Sequence, residues 1–322
     1  MTTTEAQTAP RAGNKWIQQW DPEDEGFWAA TGRRIANRNL IFSIFSEHIG
    51  FSLWSIWSVV VIALPTAGFK FSVDELFWLT ALPNLIGAAL RLPYTFAVPR
   101  FGGRNWTIIS SLLLLIPCAL LSVAVTTHAT FGFFLLAAIT AGVGGGNFAS
   151  SMTNISFFYP ESRKGTALGL NAAGGNLGAA LVQLIIPLVI AATTGTNLVF
   201  AGLFYMPFAI AAAICAALFM DNLSTAKSDF PAQASAVKRT QTWVMSFLYI
   251  GTFGSFIGFS AALPLLIKTQ FPTVHGTYFA WLGALVGSLS RPVGGWLSDR
   301  IGGSRVTLWN FILMGVAAVF VV

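Results

Sequence analysis

The sequence predicts an all-α polytopic membrane protein, and three observations carry that reading. Of 322 residues, 55% are hydrophobic and only 9% charged, against roughly 25% charged in a soluble domain. Apolar runs of about 20 residues, the length needed to cross a hydrocarbon core as helix, recur along the whole chain. The basic residues between those runs fall almost entirely on alternate sides.

Taken in order, residues 1–39 are polar, with Arg33, Arg34 and Arg38 directly before the first apolar run. A secretory signal would instead place a short apolar stretch near the terminus, followed by small residues at a cleavage site. The segment therefore reads as a cytoplasmic tail. Spans come next at roughly 40–65, 76–98, 105–126, 131–158, 165–192, 196–220, 241–267, 274–297 and 305–322, which makes nine helices. With the tail inside, fourteen of the eighteen Lys and Arg residues fall on the inner side and only Lys70 and Lys268 outside. That asymmetry accounts for the net charge of +6 without a nucleic-acid partner. Cys118 and Cys215 both lie inside apolar runs and imply no disulfide framework.

An internal repeat organises the spans. Shifted by 200 positions, Leu82, Leu85, Gly87, Arg91, Arg100, Gly102 and Gly103 fall on Leu282, Leu285, Gly287, Arg291, Arg300, Gly302 and Gly303. One helix earlier, Ala63-Leu64-Pro65 answers Ala262-Leu263-Pro264 at a shift of 199, so helices one and two recur as seven and eight and the unit is six helices. Residues 40–220 form one half, 221–240 a polar cytoplasmic linker, and 241–322 the first three helices of a second half. Parallel six-helix halves around a central site are the major facilitator architecture, and on this count nine of its twelve helices are present. The segments RFGGR (Arg100, Gly102, Gly103, Arg104) and DRIGGSR (Asp299, Arg300, Gly302, Gly303) resemble the short cytoplasmic loop motif of that superfamily.

Two charges lie where charge is costly. Arg91 and Arg291 sit within the second and eighth spans, at about 2.5 to 3.5 kcal/mol each on insertion scales, so they are expected to face a cavity and a partner. Of twelve acidic residues only Glu47, about two turns into helix one, falls within a span. A cavity with two permanent positive charges and little acid selects an anion, and the planar guanidinium fork favours an oxoanion. The alternative is that each arginine braces its helix through backbone carbonyls or Glu47. Helices four and five carry GVGGGNFASSMTNISFFYP and GTALGLNAAGGNLGAALVQL. Their small residues suit close helix packing, but Asn147, Asn154, Asn171 and Asn176 must find partners in an apolar interior. Phe148 is read as lying in a GGGNF turn. Tyr249 and Phe253, four residues apart, share a helical face. No HExxH, CxxC cluster or GxSxG is present, so no enzyme, cofactor or metal site is expected.

The segments GGGNFASSMTNISFFYP, GTALGLNAAGGNLG, YIGTFGSFIGFSA and SDRIGG, with GFW and GRRIANRNL in the tail, resemble the nitrate/nitrite porter family of the major facilitator superfamily. The resemblance covers the chain from about residue 26 onward. It implies that Arg91 and Arg291 clamp the anion, Phe148 and Phe253 sandwich its plane, and Tyr249 and Asn176 donate further hydrogen bonds. It also places the family's nitrate signature at Gly174, Gly175 and Gly178 with Asn147 on the facing helix, while the second signature, on helix eleven, is absent. The chain is thus expected to be a monomeric carrier of the cytoplasmic membrane that exchanges nitrate for nitrite by alternating access. Nitrate/proton symport through Glu47 and His48 stays open, as does transport of another small anion. His128 and His275 are expected near outer loops.

Overall fold

The computed structural model describes residues 11–12, 15–193, 197–226, 235–273 and 279–321; His275 lies outside them. Seven helices run α1 Glu25–Ala63, α2 Val73–Phe101, α3 Gly103–Thr126, α4 Phe131–Phe158, α5 Glu161–Ala192, α6 Val199–Phe219 and α7 Thr240–Gln270. Then come α8 Ala280–Ile301 and α9 Gly303–Val321. Among the described residues eight of these are long and apolar enough to span a membrane. The remaining one is α8, whose hydropathy is diluted by Arg291, Pro292 and the Gly and Ser residues around them. The fold is all-α and polytopic, as the apolar runs require.

Local chemistry explains the helix ends. Asp24 caps α1 by accepting from the Phe27 amide at 3.0 Å, which starts the helix at Glu25, well before the apolar run near 40. Hydropathy misses this start because its first turns are polar. Ser72 and Glu75 form a reciprocal capping box on α2, with the Ser72 amide donating to Glu75 at 2.7 Å. The ends of α2 and α8 are alike: Gly102 at φ 85° and Gly302 at φ 91° close them, a backbone conformation that only glycine adopts without strain. Arg91 and Arg291 each lie eleven residues before that glycine, so both sit about 16 Å along the axis from the same end of the bundle.

Within the first six helices α2 packs on α4, and α1 on α5 and α4; across the halves α5 packs on α8 and α1 on α7. A large apolar core gathers Trp57, Leu79, Leu121, Phe134 and Ile186. A second cluster under the bundle joins Ile17, Trp20 and Trp28 of the tail to Phe158, Tyr159 and Leu223. There the tail forms a small sheet that composition gave no reason to expect. Strand β1 (Arg11–Ala12) runs antiparallel to β2 (Trp16–Ile17), and β2 parallel to β3 (Asn222–Leu223) just after α6. Buried Asp221 pairs with Arg38 and accepts from Asn39 at 3.2 Å, fastening the root of α1 to the end of α6.

Candidate functional site

The two span arginines come from different halves and meet at one aromatic ring. The Arg91 guanidinium carbon lies 4.4 Å from the centroid of Phe253, and that of Arg291 lies 5.1 Å from the same centroid. Arg91 also sits 4.7 Å over Phe148 and 5.6 Å over Trp54, and Arg291 5.3 Å over Phe256. These are cation–π distances, which orient a guanidinium without neutralising it. Neither arginine has a carboxylate within ion-pairing distance among the described residues. Arg91 Nη1 donates to the Tyr249 hydroxyl at 3.1 Å, while its Nε and Nη2 are buried without a partner among the described residues. Those two nitrogens form one edge of the guanidinium, the edge that matches two oxygens of an oxoanion.

The backbone places the aromatics for this. A π-helical turn over Ile250–Gly254 interrupts α7, widening the spiral where Phe253 projects, and such turns are frequent at functional sites. Tyr249 and Phe253 consequently stack face to face, centroids 5.1 Å apart with planes 2° from parallel. Phe148 does not lie in a turn: α4 runs unbroken through the glycines to Phe158, because close neighbours compensate the poor helix propensity of GVGGG. The rings of Phe148 and Phe253 stand 5.3 Å apart, tilted by 29°. They touch each other, and a flat anion between them requires a separation of about 7 Å, two van der Waals contacts.

Asn176 and Asn147 are buried, and neither amide has a hydrogen-bond partner among the described residues. Beside them, Glu47 is 1% exposed, accepts from Asn171 at 2.8 Å and from the Ser151 hydroxyl, and keeps its second oxygen unpartnered. Ser151 bonds onward to Ser43 at 2.8 Å. Because α1 starts at Glu25, Glu47 lies deep in the bundle rather than two turns into its first helix. The signature glycines explain how it fits. A side chain at Gly175 would collide with the Glu47 carboxylate, one at Gly174 with Ile44, and one at Gly178 with the His48 carbonyl and the Ser52 amide. This stretch of α5 is thus the close-approach face toward α1, and His48 Nδ1 donates across it to the Gly174 carbonyl at 3.0 Å.

The two loop motifs hold helices together at the tail-side end. Arg104 donates to the Ala217 carbonyl at 2.8 and 3.1 Å, tying α3 to α6, Gly103 lies against Asn154, and Arg100 lies 5.9 Å over Phe101. Asp299 accepts from the Thr166 amide at 2.9 Å and its hydroxyl at 2.6 Å, tying α8 to α5; Gly303 comes after Gly302 at the start of α9. A cavity of about 1100 Å³ opens between α5, α7, α8 and α9, reaching from Tyr249, Phe253 and Arg291 to Arg239 at the tail-side end of α7. Sequence reasoning missed Trp54 and Phe256 at the arginines. Phe256 lies three residues after Phe253 and so shares its face, a signal that spacing did contain; Trp54 had none.

A family model described as Major Facilitator Superfamily matches residues 40–322. A nitrate/nitrite transporter NarU of Salmonella typhimurium is 45% identical over 316 residues, covering 93% of this chain and 68% of the relative. NarU of Escherichia coli K12 is 43% identical over the same shares. A probable nitrate/nitrite antiporter NarK2 of Thermus thermophilus is 37% identical over 337 residues, 96% of this chain and 74% of the relative.

Proposed function

Since the chain belongs to the major facilitator superfamily and, within it, to the family of the nitrate/nitrite transporters, we propose that it carries nitrate and nitrite across the cytoplasmic membrane by exchange at a single central site. The observation that carries the reading is the convergence of Arg91 and Arg291, from the two halves, on the Phe253 ring with no acid among the described residues paired to either.

In this mechanism the free Nε–Nη2 edge of Arg91 takes two oxygens of the anion, and Arg291 faces it from α8. Tyr249 and Asn176 supply further donors. Phe148 and Phe253 part to admit the flat ion and close on its faces. Alternating access arises from rocking one half against the other about the fixed site. The tail-side end is the cytoplasmic one, as the distribution of Lys and Arg supports; residues 1–39 are its tail, 40–220 and 241–322 belong to the two halves, and 221–240 is the linker. The carrier works as a monomer in the bilayer. Exchange is favoured because the loaded cavity has lost one positive charge relative to the empty one, which makes the empty carrier the slower to reorient.

A second reading, symport of nitrate with a proton, is favoured by Glu47, a buried carboxylate in the first helix with one oxygen that has no partner among the described residues. Counterflow of labelled nitrate in proteoliposomes, with and without an imposed pH gradient, separates the two. Exchange predicts uptake driven by internal nitrite and indifferent to the gradient, in wild type and Glu47→Gln alike. Symport predicts gradient-driven uptake that Glu47→Gln abolishes. If bulky organic carboxylates compete as well as nitrite does, the site lacks the flat slot and both readings fail.

A further inference from the structure

A second basic cleft lies away from the central site, at the tail-side end where α1, α5 and α8 come together, with a volume of about 460 Å³. Arg33 reaches it from α1, Arg163 from the first turn of α5 and Arg300 from the end of α8. None of the three has a carboxylate partner among the described residues. Two have indoles beside them instead, Arg300 4.2 Å from the Trp296 centroid and Arg163 6.0 Å from that of Trp28. Among the described residues Asp299 is the one carboxylate lining the cleft, and its Oδ2 is already taken by both donors of Thr166. The phenol of Tyr159, which burial pushes up to about 12, stays neutral and donates to Asn37 at 2.7 Å. The far wall is apolar, made by Leu40, Ala167 and the exposed Leu170.

A basic mouth at a helix end, tryptophans at its edge and an apolar wall running toward the bilayer interior match an amphiphile in both charge and polarity gradient. We propose that this cleft binds the headgroup phosphate of an anionic phospholipid, with an acyl chain along Leu170. Arg33 and Arg163 belong to the first half and Arg300 to the second, so one lipid bridges both. It therefore favours the arrangement in which α5 and α8 are packed together at this end, by the difference in its affinity for the two arrangements. The cleft is independent of the nitrate reading, since no residue of the central site lines it.

The test is native mass spectrometry of the full 322-residue chain in detergent, titrated separately with phosphatidylglycerol and phosphatidylcholine. The wild type should retain one phosphatidylglycerol that R33Q/R163Q/R300Q holds at least tenfold more weakly, with phosphatidylcholine unaffected. All three arginines are exposed, and R300Q alone, expected to weaken binding about threefold or more, serves if the triple variant does not fold. The control R34Q/R305Q removes two charges at the same end outside the cleft and should leave retention unchanged. Equal retention by wild type and both cleft variants, equal loss in the control, or equal retention of phosphatidylcholine would overturn the proposal. So would full displacement of the lipid by an equal concentration of glycerol phosphate, which would make the cleft a site for soluble anions.

Discussion

Arg91→Lys keeps the positive charge in the site and removes the fork, so it isolates the part of binding that depends on guanidinium shape. In the wild type Nη1 is committed to Tyr249, leaving Nε and Nη2 as two parallel donors with no protein partner. An oxoanion accepts both. Lysine offers one ammonium on a flexible stem and makes one bond where two were available, while the Coulomb attraction stays similar. The difference is one charge-assisted hydrogen bond in a buried site, about 1.5–3 kcal/mol, or roughly 10- to 150-fold in Kd. Isothermal titration of the purified protein with nitrate at fixed ionic strength reads this directly. The same titration with chloride, a spherical anion that cannot use two parallel donors, should show a much smaller loss. A nitrate Kd within about threefold of wild type, or an equal loss for chloride, would refute the fork argument.

Phe148→Ala removes a ring that touches both Arg91 and Phe253 and should lower selectivity for nitrate over tetrahedral sulfate and pyramidal chlorate in competition uptake; an unchanged selectivity ratio counts against closure on the anion's faces. Gly178→Ala drives a methyl into the His48 carbonyl and Ser52 amide of α1, backbone atoms that cannot rotate away. It should therefore destabilise by about 1–3 kcal/mol and lower the thermal midpoint, whereas Gly132→Ala, with nothing within 4 Å, should not; equal melting of both variants would contradict the close-approach reading. Asp221→Asn leaves Arg38 without its carboxylate, at a cost of about 1–3 kcal/mol given that Arg38 is 34% exposed and partly solvated. Tryptic cleavage near Lys15 should accelerate while the bundle stays intact, and an unaltered cleavage rate would show that this pair does not hold the tail.

Much of this arrangement was legible because the bilayer constrains sequence so tightly. Each of the nine apolar runs corresponds to a helix among the described residues, and the 200-residue shift put Arg91 and Arg291 at equal depth, which the matched glycine ends at Gly102 and Gly302 repeat in the backbone. The features that stayed hidden depend on contacts rather than composition. The helical start at Glu25 rests on one Asp24 cap, and the strand pairing of Trp16 with Asn222 joins segments about 200 residues apart that are each too short to show a period. The GVGGG stretch read as a turn because propensity counts glycine against helix, while helix packing in the bundle rewards it. The π-helical turn at Ile250–Gly254 leaves no mark in sequence that spacing rules detect, yet it sets the direction of Phe253.

That direction decides the electrostatics of the carrier. The two guanidinium carbons cannot be farther apart than their distances to the Phe253 centroid laid end to end. At that limit, about 9 Å, two unit charges repel by about 2 kcal/mol at an effective dielectric near 20, and any closer approach raises the figure. The Phe253 ring lies within cation–π distance of both, which moderates the repulsion without cancelling it. On the proposed reading, a monovalent anion in the same place attracts each arginine at closer range than the arginines repel one another, so binding turns a repelling pair into a bridged one, and departure of the anion restores the repulsion. In the exchange reading the empty carrier then waits for another anion before it reorients. In the symport reading the carboxylate of Glu47 supplies the missing negative charge from within. Both readings answer the same imbalance, and the comparison of wild type with Glu47→Gln under an imposed pH gradient separates them.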